Sequence, residues 1–296
     1  MVKRILLIAA IVILLGGAGF FFGNVLLFDR SANKIYDIPL PNVITSSDPS
    51  VIDRGKHLAD SLGKCRQCHG KDLGSGESVE HGPFGVSKGS NLTAGKNGVG
   101  YTDAELARLI KHGIKRNGKT VLYMPSNEMS WWPMEDVVAL ISYLHTLPPV
   151  DGEPGNVEFG VLAKFFDRMN LISLDIARRI DHKVEDTPPP RAPTAEYGTY
   201  IVKLCVRCHG DQLSGGPMPG APPSLAVPSN LTPDPSGLAD WTYEDLDRLL
   251  TQGVRKNGKP LDPFMSLGAM GKMDETEKRA LWAYLRTLPP RPFGEH

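Results

Sequence analysis

Two short stretches decide how this chain folds, Cys65-Arg66-Gln67-Cys68-His69-Gly70 and Cys205-Val206-Arg207-Cys208-His209-Gly210. Both follow the pattern C-x-x-C-H, which is the signature of covalent haem c attachment. The thiols of one motif can add to the two vinyl groups of one haem, and the adjacent histidine supplies the proximal nitrogen to the iron. The sequence therefore predicts two covalently attached haem c groups. The predicted attachment residues are Cys65, Cys68, Cys205 and Cys208, and the predicted proximal iron ligands are His69 and His209.

Other uses of paired cysteines fit the sequence less well. A redox dithiol needs no adjacent histidine, and a four-cysteine zinc site usually separates its two pairs by about 15–20 residues. Here Cys68 and Cys205 lie in different halves of the chain. A disulfide framework stays open as an alternative if the chain is exported, because exported proteins meet an oxidising compartment. All four cysteines fall within the two motifs, which favours haem attachment.

The chain is internally duplicated around the motifs. Residues 90–93 and 229–232 both read Ser-Asn-Leu-Thr, and the last predicted helix of each half ends at Pro-Pro. Thr102, with Glu105 three residues later, predicts a capping box at the start of a middle helix. Gly55 and Gly198 should let the first helix of each half approach the last one closely. We predict an N-terminal membrane anchor or signal at 1–28, a linker at 29–48, a first haem domain at 49–150, a helical and Pro-rich connector at 151–193, and a second haem domain at 194–296.

The duplication also selects candidates for the distal iron ligand. No histidine outside the motifs recurs in both halves, so a second histidine on both irons is disfavoured. Two methionine pairs do recur, Met124 with Met265 and Met129 with Met270. Met124 precedes a proline and Met265 closely follows one, and such rigid loops could hold a thioether over the iron. We therefore expect Met124 and Met265 as distal ligands, with Met129 and Met270 as the alternatives.

Two further features recur after the motifs. Pro83 and Pro222 occupy similar places. A carbonyl from each could accept a hydrogen bond from the proximal histidine and fix its ring, although an ordinary loop proline is equally consistent with the sequence. Asn91 and Asn230 match the glycosylation pattern N-x-T. Their recurrence at one domain position favours a structural turn near the haem instead.

The N-terminus carries a long apolar segment. Lys3 and Arg4 precede a run from Ile5 to Phe28 that has one polar break. A membrane-spanning helix needs about 20 such residues, whereas a signal peptide has about 7–15 and a small-residue cleavage site. An uncleaved anchor is favoured because the apolar run continues beyond residues 17–19, and a cleaved signal stays open. The expectation is a single-pass inner-membrane protein with periplasmic haem domains.

The remaining sequence fits a globular protein with a connector. The chain has 296 residues, and 33 basic residues balance 33 acidic ones, which argues against nucleic-acid binding. The 31 glycines and 25 prolines predict short helices with long loops.

Residues 157–183 should form one helix packed on the haem domains, with a membrane-surface helix as the minority interpretation. Its apolar face would hold Phe165, Met169, Ile172, Ile176 and Ile180.

The sequence resembles the di-haem, class-I-type cytochromes c of bacterial respiratory chains, and especially the cytochrome c subunit of membrane-bound alcohol dehydrogenases. The resemblance covers residues 50–149 and 194–290, although that subunit has three haem motifs and this chain has two. It implies an all-α fold of two tandem cytochrome c domains plus one transmembrane helix, and axial roles for His69, Met124, His209 and Met265. The resembling segments are Cys65 to Gly70, Pro83-Phe84-Gly85, Asn91-Leu92-Thr93, Met124-Pro125, Tyr143-Leu144 and Leu147-Pro148-Pro149.

The expected function is transfer of single electrons between respiratory partners. The donor and acceptor would be redox proteins: a dehydrogenase, a quinol-oxidising complex or a terminal oxidase. Iron ligated by histidine and methionine has both axial positions filled, which favours a carrier over a catalyst. A di-haem peroxidase or thiosulfate-oxidising enzyme with a labile distal ligand, and the cytochrome c subunit of a haem-copper oxidase, are the alternatives.

Overall fold

The computed structural model describes residues 2–183, 187, 189–218, 225–262, 265 and 267–295. Within these ranges the chain is mostly helical, with eleven α-helices and one small three-stranded sheet. The prediction of a helical, loop-rich protein is therefore confirmed, and the sheet is an addition that the sequence pattern did not predict. Pro222 and Pro188 of the predicted loop and spacer lie outside the described residues.

The first helix, α1 (Val2–Ala32), is long and apolar enough to cross a membrane, although a signal sequence meets the same criteria. Residues 2–20 are exposed. The C-terminal end of the helix belongs to the folded body, because Val25 and Phe28 are buried there. Asp29 adds an ion pair to Lys164 of the connector, with 2.7 Å between carboxylate oxygen and Nζ.

The first haem domain is built on a tight contact between its first and last long helices. A Cβ placed on Gly55 would lie 1.9 Å from the carbonyl oxygen of Ala139. The backbones of the two helices therefore touch, which confirms the predicted close approach. Thr102 and Glu105 form the predicted capping box. The helices are α2 (Pro49–Asp60), α3 (Cys65–His69), α4 (Asp103–His112) and α5 (Met134–His145).

A small antiparallel sheet joins this domain to the connector. Its strand order is β1-β2-β3. Val79 lies opposite Ser87 in the first pairing, and Ser87 lies opposite Val157 in the second. The connector thus supplies one edge of the sheet. The strands are β1 (Ser78–Glu80), β2 (Gly85–Lys88) and β3 (Asn156–Phe159).

The connector is not the single helix over residues 157–183 that its apolar spacing predicts. After β3 it forms α6 (Val161–Arg168) and, further on, a 3-10 turn (Ala177–Arg179). The helix ends because Asn170 adopts a left-handed backbone with φ of 58°. The fully buried carboxylate of Asp167 accepts a hydrogen bond from the Leu174 amide at 2.8 Å. It also forms an ion pair with Arg179. The polar contacts of one aspartate therefore override the helical pattern.

The second haem domain repeats the helix-to-helix contact of the first. A Cβ on Gly198 would lie 2.2 Å from the carbonyl oxygen of Ala280. Thr242 caps the middle helix through a capping box with Asp245. The helices are α7 (Ala195–Ile201), α8 (Lys203–His209), α9 (Tyr243–Gln252), α10 (Leu267–Met270) and α11 (Glu275–Leu285).

A polar network is buried between the two domains. Arg54 forms a bidentate pair with Asp136 (both N–O distances 2.8 Å) and reaches the fully buried Glu277 of the second domain at 3.1 Å. Burial acts to lower the pKa of Arg54, but the hydrogen bonds and charge of Asp136 raise it overall. His57 bonds Glu277 at 2.8 Å, and the Tyr200 hydroxyl donates to Asp136 at 2.7 Å. Because these charges are paired and bonded, their burial is tolerated.

Candidate haem sites

The first motif opens onto a large cavity. Its volume is about 570 Å³, within the range of about 300–1,000 Å³ typical of ligand pockets. Its walls are mostly apolar and include Leu62, Leu92, Leu106, Ile110 and Leu140. The cavity brings together predicted site residues that are far apart in sequence, and so fits a haem held by this motif. Those residues are Cys65, Cys68, His69, Met124 and Met129.

The second motif has a smaller cavity at the corresponding place, with a volume of about 110 Å³. Its described walls include Leu204, Val227, Pro228 and Leu261. Residues 219–224, 263, 264 and 266, which precede or flank Met265 in the sequence, lie outside the described part of the chain. The same combination of side chains meets here as in the first site. The predicted site residues that line it are Cys205, Cys208, His209, Met265 and Met270.

Each motif histidine is oriented by one hydrogen bond. Nδ1 of His69 lies 2.7 Å from the carbonyl oxygen of Ser90, and Nδ1 of His209 lies 2.7 Å from that of Ser229. A carbonyl only accepts, so each Nδ1 carries the proton and each Nε2 keeps a free lone pair for a metal. Burial lowers the pKa of both histidines, partly offset by the backbone bond. Both shifts favour the neutral ring, which is the form that binds iron.

The predicted role of Pro83 is wrong. Nδ1 of His69 has its acceptor in Ser90, and Pro83 instead lies in the 3-10 turn Gly82–Phe84 between β1 and β2. Pro222 lies outside the described residues, and the corresponding acceptor for His209 is Ser229. The physical reason is that the carbonyl that accepts from each histidine belongs to the turn that follows the predicted proline in the sequence.

That turn is built by the recurring Ser-Asn-Leu-Thr segment. The fully buried Asn91 accepts hydrogen bonds from the backbone and hydroxyl of Thr93, both at 2.8 Å, and donates to the Val150 carbonyl at 2.8 Å. Asn230 bonds Thr232 in the same way, at 2.9 and 2.8 Å. Each asparagine therefore fixes the residue before it, whose carbonyl holds the histidine. Sequence reasoning missed the role of Ser90 and Ser229 as acceptors for the histidines. The recurring Ser-Asn-Leu-Thr segment was the signal that could have found it.

The cysteines do not have the properties of a redox pair. Burial raises the pKa of Cys65 and of Cys205 to about 12, whereas reactive dithiols have a lowered pKa. All four cysteines lie in the described part of the chain and are unpaired. The structure therefore gives no support to a disulfide framework, and the thiols face the cavities in which a haem would be attached.

The two methionine pairs differ in burial. Met129 and Met270 are 4% and 9% exposed and belong to the hydrophobic core. Met124 and Met265 are half-buried and pack against that core while lining the cavities. A thioether already packed among core side chains acts as a filler. Because all four methionines line the cavities, the choice of Met124 and Met265 over Met129 and Met270 stays a prediction.

Histidines outside the motifs have other partners. His112 and His182 face each other with 3.2 Å between their Nδ1 atoms. His145 bonds Asp103 at 2.7 Å. In the part of the chain that the structure describes, none of the histidines outside the motifs lines either cavity. This arrangement agrees with the argument against a second histidine on both irons.

Two family models match the two halves of the chain. The model described as "Cytochrome C oxidase, cbb3-type, subunit III" matches residues 50–144. The model described as "Cytochrome c" matches residues 195–289. The chain is a c-type cytochrome with two cytochrome c domains, and it carries two covalently bound haem c groups.

Several curated relatives of this chain are cytochrome subunits of dehydrogenases. The chain is 28% identical over 286 residues to the cytochrome c subunit of the quinone alcohol dehydrogenase of Gluconacetobacter polyoxogenes, covering 83% of this chain and 58% of that protein. It is 35% identical over 94 residues to the gluconate 2-dehydrogenase cytochrome c subunit of Pantoea cypripedii, covering 29% of this chain and 21% of that protein. A "Diheme cytochrome c-type" protein of Cereibacter sphaeroides is 26% identical over 258 residues, covering 77% of this chain and 82% of that protein. The chain thus spans 58% of the alcohol dehydrogenase subunit.

Proposed function

We propose that this chain is a membrane-anchored electron carrier whose two irons are each ligated by histidine and methionine. The proposed ligands are His69 with Met124, and His209 with Met265. Haem c supplies a one-electron Fe(III)/Fe(II) couple when bound. The chain's own residues attach the haem, shield it from water and supply the ligands of its iron.

The observation that carries the proposal is the identical orientation of the two motif histidines. In each site Nδ1 is held by a serine carbonyl at 2.7 Å, which leaves Nε2 free for iron. In each site a half-buried methionine lines the same cavity. If a histidine and a methionine hold each iron, no position on the iron would be open to peroxide or oxygen. This ligation suits electron transfer and disfavours the peroxidase and thiosulfate-oxidising alternatives.

The proposed electron donor is a dehydrogenase. Relatives of this chain include the cytochrome subunits of alcohol and gluconate dehydrogenases, and a similar chain could serve a similar catalytic partner. A second candidate follows from the model that matches residues 50–144, which describes a subunit of a cbb3-type oxidase. In that case the acceptor would be a haem-copper oxidase, and the chemistry of the two sites would be the same.

The proposed location is the periplasmic face of the inner membrane. The end of α1 supports an uncleaved anchor, because Phe28 is 2% exposed and Asp29 pairs with Lys164. Cleavage near residues 17–19 would leave the apolar segment that follows on a water-exposed surface. Lys3 and Arg4 before the apolar run support a cytoplasmic N-terminus by the positive-inside rule.

The experiment compares four methionine variants of the haem-loaded protein. Met124→Ala and Met265→Ala should each remove about half of the weak near-infrared band assigned to sulfur-to-iron charge transfer, and each should allow carbon monoxide to bind one haem rapidly, because an axial position becomes open. Met129→Ala and Met270→Ala are the matched controls and should keep the band. The ligation is refuted if the control variants lose the band instead. Rapid peroxide binding by the unaltered protein would favour the enzyme alternatives.

A further inference from the structure

The loop that carries the candidate methionines of the first site is held by the first two helices of the second domain. Trp131 of this loop packs edge to face on Tyr200, with 4.5 Å between ring centroids. Nζ of Lys203 lies 5.2 Å from the centroid of the Trp131 ring. Glu128 forms an ion pair with Arg207 of the second motif. This loop therefore rests on α7 through Tyr200 and on α8 through Lys203 and Arg207.

The two cavities are neighbours at this contact between the loop and the second domain. Lys64, the residue before the first motif, lines both of them. Arg207, which lies inside the second motif, lines the first cavity together with Glu128. The motif-bearing sides of the two sites therefore face each other across a few charged side chains.

Glu128 joins these charged side chains. Its carboxylate accepts from Arg207 through one oxygen and from Lys64 through the other, the latter at 3.5 Å. The side chains of Glu128 and Lys64 are 17% and 21% exposed, so solvent screens their charges only in part. The three residues carry one negative and two positive charges. A negative charge near an iron opposes its reduction, and a positive one favours it.

We infer that Glu128 is a positioning residue that bridges the two haem sites and lowers the reduction potential of both. The inference deepens the proposed electron-carrier function and depends on it. The reason for a common effect is geometric, since one carboxylate contacts the residue that precedes the first motif and a residue within the second. The potentials of the two haems are thereby linked through a side chain that belongs to the first domain alone.

The test is a spectroelectrochemical titration of haem-loaded variants. Glu128→Gln keeps the side-chain shape, removes the negative charge and should shift both midpoint potentials upward. The matched control is Glu135→Gln, because Glu135 is exposed at the start of α5 and lines neither cavity. Both potentials should be unchanged in that control. Arg207→Gln removes a positive charge from the second domain and should shift both potentials downward.

A shift of a single midpoint in Glu128→Gln, or of neither, would overturn the inference. An effect of Arg207→Gln on one haem alone would also overturn it. The near-infrared band of the unaltered protein reports on the proposed axial ligation separately. If that band were missing while both midpoints still moved, the ligation would be refuted and the bridge would stand.

Discussion

The two haem domains share the parts that surround the motif histidine and differ in what surrounds the cavity. Both have a serine carbonyl on Nδ1, a buried asparagine that fixes that serine, and a glycine contact between the first and last helices. Only the first has a sheet against it among the described residues, and the described cavities differ, at about 570 and 110 Å³. The two domains thus share the elements that orient the ligand, and the differences among the described residues lie around those elements.

The comparison extends to the contact between the domains. Asp136 and Glu277 occupy equivalent positions on the last helices, and His57 and Tyr200 occupy equivalent positions on the first. His57 bonds Glu277, and Tyr200 bonds Asp136, so each domain bonds the carboxylate of the other. Such reciprocal contacts are the pattern of a two-fold interface between like subunits. Arg54 breaks the symmetry, because one guanidinium serves both carboxylates.

The largest effect should come from removing that guanidinium. Arg54→Ala leaves two buried carboxylates without their shared cation, which should reduce the free energy of unfolding by about 3–5 kcal/mol. Urea unfolding of the haem-loaded protein measures this loss, and the domains should then unfold in separate steps. Arg279→Ala is the control, because its pair with Glu275 is exposed and should contribute less than about 1 kcal/mol. Equal losses in the two variants would show that the network does not couple the domains.

An intermediate effect should come from the glycine contacts. Gly55→Ala and Gly198→Ala place a methyl group 1.9 and 2.2 Å from a backbone oxygen of the last helix, which should cost about 1–3 kcal/mol in each domain. Thermal unfolding followed by circular dichroism and haem absorbance measures both. Gly268→Ala is the control, because no atom of the described residues lies within 4 Å of its added Cβ. A loss confined to one domain would mean that the two contacts are not equivalent.

The smallest effect should come from the helix caps. Thr102→Ala and Thr242→Ala each remove one side-chain acceptor from a capping box, at an expected cost of about 1 kcal/mol. Equal losses in urea unfolding would sharpen the comparison, because both caps are capping boxes, one with Glu105 and the other with Asp245. Thr102→Ser and Thr242→Ser keep the hydroxyl and should retain stability. Serine variants as unstable as the alanine variants would assign the effect to the lost methyl group.

Much of the helical framework could be predicted from local patterns. The capping box at Thr102, the glycine contact at Gly55 and the long N-terminal helix all appear where the sequence indicates. The connector did not follow its pattern, because Asp167 gathers backbone and arginine donors that a continuous helix would separate. Helical periodicity reports which residues are apolar, and it does not report the partners of a buried carboxylate.

The sequence by itself determined the chemistry of this protein, namely two haem attachment motifs in duplicated domains. That information is local, because thiol spacing and capping involve residues a few positions apart. Only the tertiary structure decided that Ser90 rather than Pro83 holds His69, and that Glu128 lies between Lys64 and Arg207. These contacts join residues that are distant along the chain, and their geometry is fixed by how helices and loops pack.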